Sequence, residues 1–94
     1  MRRFERIDVP RARDAALPKR ATAHSAGYDF VAPNDIIVHA GGSSVATLKT
    51  GIKARMEPDE FLMMCIRSSL GIKWRLALAN GTGIIDSDYY GNPN

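Results

Sequence analysis

The chain has 94 residues, enough for one small domain. Its 45% hydrophobic and 24% charged content is that of a globular protein, and no apolar run approaches the roughly 20 residues of a bilayer-crossing helix. The formal charge is +3 and Cys65 is the single cysteine, which excludes an intrachain disulfide and a cysteine-rich metal site.

The first twenty residues carry Arg2, Arg3, Arg6, Arg11, Arg13, Lys19 and Arg20. No hydrophobic stretch follows the opening charges, as a secretory signal would require, and a reducing cytoplasm is the expected compartment. Such a run attracts polyanions, but it lacks the interleaved aromatics of a nucleic-acid surface. A solvated arm is therefore expected, with neither a nucleic-acid nor a membrane partner.

Phe4 to Val9 alternates as a first strand and Pro10 ends it. Arg11 to Ser25 reads as a loop containing Pro18, and Ala26 to Val31 as a short apolar segment broken by Asp29. Ile36-Ile37-Val38 is strand-like, and Gly41-Gly42-Ser43-Ser44 is a turn. Val45 to Met56 is rich in β-branched residues with Gly51 inside, the pattern of a strand pair or a kinked strand. Glu57 to Glu60 is a polar turn. Phe61 to Ile66 is apolar throughout, which predicts a strand covered on both faces.

Ser68 to Arg75 is compatible with one short helical turn. Leu76 to Ala79 then leads into Asn80-Gly81-Thr82-Gly83, a hairpin signal. Short strands, frequent Gly and Pro and almost no helical periodicity point to an all-β sandwich or jelly roll. The last strand lies close to Asn94 and needs a neighbour to cover its edge. Residues 1–94 are accordingly expected to be the N-terminal portion of a single, longer domain.

Three clusters carry the chemistry. Gly83-Ile84-Ile85-Asp86-Ser87-Asp88-Tyr89-Tyr90-Gly91-Asn92 runs an apolar pair into an acid, then a second acid and two aromatics. A tight turn there holds a carboxylate and a flat ring near exposed backbone groups, the parts a nucleotide pocket needs. Arg67-Ser68-Ser69-Leu70-Gly71 puts a guanidinium, two hydroxyls and their amides at a strand end, as in a phosphate cradle. In isolation the signal is weak, and a strand-terminating Ser-Ser turn with a surface arginine is the favoured reading. Ala26-Gly27-Tyr28-Asp29-Phe30 places an acid in an apolar stretch, where it must be paired, hydrogen-bonded or near a metal. It also reads as an aspartate that satisfies a nearby turn. His24 and His39 stand far apart, and no zinc-ligand spacing, phosphate-loop glycine pattern or nucleophile–histidine pair is present.

Together the three clusters resemble, in order and spacing, the first three motifs of the trimeric deoxyuridine triphosphatases (dUTPases). The likeness runs from Ile7 to Asn92, and Ser69 stands where many members carry glycine. The resemblance implies a distorted β jelly roll, incomplete at its C-terminus. It implies a homotrimer in the complete protein, and Mg2+-assisted cleavage of dUTP to dUMP and pyrophosphate.

On this resemblance Asp86 is the general base that activates the attacking water, and Arg67, Ser68 and Ser69 hold the phosphates. Asn80, Gly83, Ile84 and Ile85 form the bend that reads uracil through its main chain, and Tyr89 packs on the deoxyribose. Asp29 acts near the metal through water, and Asp88 is expected to be a solvated or interface acid. A fourth motif and a glycine-rich arm, which the family places further along, are not within these residues. A non-catalytic remnant that binds nucleotide or assembles as a subunit is therefore a second expectation. A relative of the dCTP deaminases, which share an Arg-Ser-Ser segment, is a distant third.

Overall fold

The computed structural model describes residues 2–41 and 45–91. Gly42, Ser43 and Ser44 of the expected turn, and Asn92 of the third cluster, lie outside the described residues. The first strand, β1 (Arg3–Arg6), pairs antiparallel with β2 (Ile52–Arg55) in the register Arg3↔Arg55, Phe4↔Ala54, Glu5↔Lys53 and Arg6↔Ile52. Alternation sends Phe4 to one face and Glu5 to the other. The Phe4 ring meets Tyr28 and Phe30 edge-on, each at 5.4 Å between centroids, so the motif around Asp29 closes over this strand.

β1 stops at Arg6, short of the expected Val9, and beyond Ile7–Val9 the chain forms a 3-10 turn at Pro10–Ala12. It buries Ala12 completely, and Ile7 beside it is only 6% exposed. Gly51 explains how β2 approaches so closely. Its φ is +73°, and a Cβ there would stand 2.9 Å from the Ala12 Cβ. Only glycine meets both demands at low cost. The Gly51 carbonyl then accepts from the Ile7 amide at 2.9 Å, which locks the start of β2 to the end of β1.

The second ladder joins β3 (Phe61–Met64) and β4 (Gly83–Asp86), with Phe61↔Asp86, Leu62↔Ile85, Met63↔Ile84 and Met64↔Gly83 opposite one another. Leu62, Met64 and Ile85 face inward. With Ile7, Phe30 and Ile52 among others, they line a cavity of about 380 Å3 between the two ladders. Between β3 and β4 runs a short helix, α1 (Ser68–Trp74). Arg75 ends it in the left-handed region at φ 53°, and the Leu76 amide reaches back to the Leu70 carbonyl at 3.3 Å. The fold is all-β, of jelly-roll type, with α1 as its only α-helix among the described residues.

Four local expectations change. Phe61 to Ile66 is not covered on both faces: Phe61 and Met63 are both 56% exposed, because the ladder packs on one side only. Ile36-Ile37-Val38 is not a strand. β-Branched residues favour a strand only where a neighbour completes the ladder, and none pairs with this triplet among the described residues. Val45 to Met56 is a strand only from Ile52, since Gly51 breaks the extended run. Leu76 to Ala79 does not form a hairpin ladder with β4. The contact shrinks to one bridge, Leu78↔Gly81, and β4 takes β3 as its partner.

Candidate active site

The turn that launches β4 is tight. Gly81 has φ 77°, its amide donates to the Leu78 carbonyl at 2.9 Å, and the Thr82 amide donates to the Asn80 carbonyl at 2.9 Å. Gly83 lies so near its surroundings that a Cβ would stand 3.3 Å from the Met64 Cβ and 4.0 Å from the Asn80 Nδ2. The Asn80 amide therefore reaches back beside the first residue of β4. Ile85 turns inward and Ile84 outward, at 54% exposure.

Asp86 ends β4 opposite Phe61 and is exposed to solvent. The chain then tightens into a 3-10 turn over Ser87–Gly91. Tyr89, 46% exposed, lines the cavity within this turn together with Tyr90. Asp88 is also exposed. A solvent-facing carboxylate at the end of a paired strand is well placed to orient a water molecule.

Arg67 has extended backbone and caps α1. Its carbonyl accepts from the amides of Leu70 at 3.0 Å and Gly71 at 2.9 Å. The amides of Ser68 and Ser69 belong to the first turn, whose N–H groups have no partner within a helix. Arg67, Ser68 and Ser69 are all exposed. A guanidinium, two hydroxyls and two amides thus present hydrogen-bond donors to solvent at one place, a chemistry suited to an anion.

The register decides which residues meet. Met64 faces Gly83, so the Arg67 segment leaves β3 at the end where the Asn80 turn enters β4. Asp86 lies at the other end of the ladder, three residues or about 10 Å along the strand. Arg67–Ser69 and Asp86 therefore flank β3–β4 from opposite ends. Asp29 belongs to the β1 side of the molecule. Its amide donates to the Lys19 carbonyl at 2.8 Å, the Lys19 amide donates to the Asp29 carbonyl at 3.3 Å, and the residue is half-buried.

Sequence reasoning did not find Glu5. One of its oxygens accepts from the Arg3 guanidinium, and the other accepts from the Tyr90 hydroxyl at 2.8 Å. The Lys53 ammonium stands 3.9 Å from that second oxygen and 4.3 Å from the centre of the Tyr90 ring. The hydrogen bond from Arg3, followed by that from Tyr90, holds the Glu5 carboxyl below its ordinary value, and Glu5 in turn raises Arg3. Tyr90 and Glu5 lie 85 residues apart, so no local spacing announces the pair. The only signal was the alternation that sets Glu5 between Arg3 and the Pro10 turn.

Among the described residues, no cluster of three or more His, Cys, Asp or Glu side chains is arranged to hold a metal ion, and no helix is long and apolar enough to cross a membrane. The dUTPase family model matches residues 13–93. The deoxyuridine 5'-triphosphate nucleotidohydrolase of Lactococcus lactis is 40% identical over 94 residues, covering 100% of this chain and 61% of the relative. That of Rickettsia typhi is 41% identical over 76 residues, 80% of this chain and 51% of the relative. The crystal structure of dUTPase from Streptococcus mutans superposes with a TM-score of 0.76 at 40% identity, covering 97% of this chain and 69% of that one. The chain thus spans about three-fifths of the length of its Lactococcus relative, and it belongs to the dUTPase family.

Proposed function

We propose that this chain carries the nucleotide-handling part of a dUTP diphosphatase, which converts dUTP to dUMP and pyrophosphate in the cytoplasm. The observation that carries the reading is the Asn80–Tyr89 segment: a tight turn, a paired strand and a 3-10 turn that leave Asp86 in solvent beside an aromatic residue. Asp86 takes a proton from the attacking water and directs it in line at the α-phosphorus. Arg67, Ser68 and Ser69 bind and orient the phosphate oxygens. The main chain of Gly83, Ile84 and Ile85, with the Asn80 amide beside it, reads the pyrimidine edge, and the Tyr89 ring packs on the deoxyribose. Positioning and charge neutralisation supply most of the acceleration in such a reaction.

The carboxylates of this chain are hard oxygen donors, and Mg2+ is usually held by one or two carboxylates, substrate phosphates and several waters. Asp29 carries such a donor on a half-buried residue and fits the role, reaching the ion through water. Bound there, Mg2+ would neutralise phosphate charge. In this reading the 94 residues are one portion of a single domain, and the working enzyme is a homotrimer. A trimer also answers the separation of Arg67 from Asp86, because neighbouring copies can supply the two ends of one pocket.

One observation favours a second reading, a chain that binds nucleotide or joins an assembly without turnover. The cavity of about 380 Å3 and the outward apolar face of Phe61, Met63 and Ile84 leave much of β3–β4 uncovered. Pyrophosphate release from dUTP, beside dTTP and UTP, separates the two. Release from dUTP alone supports the enzyme; binding of dUTP without release supports the second reading; neither binding nor release refutes both. A deaminase relative predicts ammonia release from dCTP instead.

A further inference from the structure

We propose that Tyr90 is a positioning residue, a latch that fixes the turn bearing Asp86 and Tyr89 against the β1–β2 ladder. Its bearing on nucleotide rests on the roles given above to those two residues; the latch itself rests on geometry alone. Glu5 and Lys53 are cross-strand partners, as are Arg3 and Arg55. Strand alternation puts these four on one face of the ladder. Tyr90, half-buried, covers that face. Its hydroxyl donates to Glu5 at 2.8 Å, and its ring lies 4.3 Å from the Lys53 ammonium and 6.0 Å from the Arg55 guanidinium.

Both oxygens of Glu5 are engaged, one by Arg3 and one by Tyr90, so the acceptor is itself immobilised. At the other end of the same turn, the Ser87 hydroxyl reaches the Pro58 carbonyl at 3.4 Å. Asp86 and Tyr89 thus lie in a segment fastened at three points: the Phe61 register, Ser87 and Tyr90. In a 3-10 turn, successive side chains diverge by about 120°. Fixing Tyr90 on one side therefore sets the direction of Tyr89 on another.

Residue-resolved amide hydrogen exchange on the 94-residue chain tests the latch, using Tyr90→Phe, Glu5→Ala and the double variant. Tyr90→Phe keeps the ring and its cations and removes only the hydroxyl. It is expected to speed exchange over Ser87–Gly91 about fivefold while β1 and β4 keep their rates, and Glu5→Ala added to it brings no further increase. Unchanged exchange in the turn, an equal rise in the strands, or additive effects in the double variant would overturn the proposal. So would open-chain exchange rates in the wild-type turn.

Titration with dUMP gives the second readout. Tyr90→Phe is expected to bind it about fivefold more weakly at unchanged strand protection. Equal affinity overturns the positioning role. A wild-type chain that shows the exchange pattern but binds no dUMP supports the latch and refutes the nucleotide reading.

Discussion

Asp86 is the residue on which the proposed chemistry turns, and its environment makes a sharp demand. It ends a paired strand, so its backbone is fixed, yet its side chain faces water. Asp86→Asn keeps that shape and removes the ability to accept a proton. In a chimera that joins these residues to the C-terminal part of the Lactococcus relative, the substitution is expected to lower kcat by at least about a thousandfold while affinity for dUTP changes little. Turnover at the wild-type rate, measured by pyrophosphate release, would remove Asp86 from the role of base. Gly51 makes an equally local demand of a different kind. Alanine there carries both the left-handed penalty at φ +73° and a 2.9 Å approach to the Ala12 Cβ. Gly51→Ala is expected to destabilise the fold by about 1–3 kcal/mol. Gly27→Ala, with nothing within 4 Å of the added carbon and no positive φ, serves as the near-neutral control. Equal urea midpoints for the two variants would refute this account of Gly51.

At the scale of elements, the β1–β2 ladder combines an apolar face with the charged network around Glu5. Glu5 is lowered by its hydrogen bonds from Arg3 and Tyr90, with a smaller attraction to Lys53, while partial desolvation opposes them. A carboxyl lowered in the folded state favours folding above its unfolded value, here 4.5. That contribution fades as pH falls through 4.5 and then through the lower folded value. The melting temperature of the wild-type chain is expected to fall more steeply below about pH 4.5 than that of Glu5→Gln, so the gap between the two narrows in acid. Parallel curves from pH 7 to pH 3 would contradict the linkage. What the sequence disclosed follows the same division. The existence of β1, β3 and β4 was legible, because alternation, an apolar run and a glycine-bounded acid motif are local patterns, but their ends were not: β1 stops at Arg6 and not at Val9, and β3 at Met64 and not at Ile66. The short helix after Arg67 was half legible for the same reason. The choice of β3 over Leu76–Ala79 as partner of β4 was not, since turn chemistry at Asn80-Gly81 fixes a bend but not the length of the ladder beyond it. Tyr90–Glu5 was not legible either, because it is a contact between opposite ends of the chain.

For the whole molecule, the main consequence is the division of the candidate site. Arg67–Ser69 sits beyond Met64, at one end of β3–β4, and Asp86 sits at the other. One copy of the chain does not bring the phosphate donors and the carboxylate to one end of the ladder. If a trimer builds each pocket from two neighbours, two dead variants can repair each other. Arg67→Ala and Asp86→Asn, each made in the chimera, are expected to be inactive alone. Unfolded together in equal amounts and refolded, they form mixed trimers. Over all the trimers formed, about a quarter of the pockets receive an intact Arg67 from one copy and an intact Asp86 from its neighbour. The mixture is therefore expected to recover about a quarter of the wild-type rate of pyrophosphate release. Pockets drawn from single chains give none, because every chain in the mixture lacks one of the two side chains. A mixture that stays inactive, although mass spectrometry shows the trimers to be mixed, would place both ends of the pocket in the same copy. It would then require a hinge that folds the Arg67 segment back along β3–β4 when nucleotide binds.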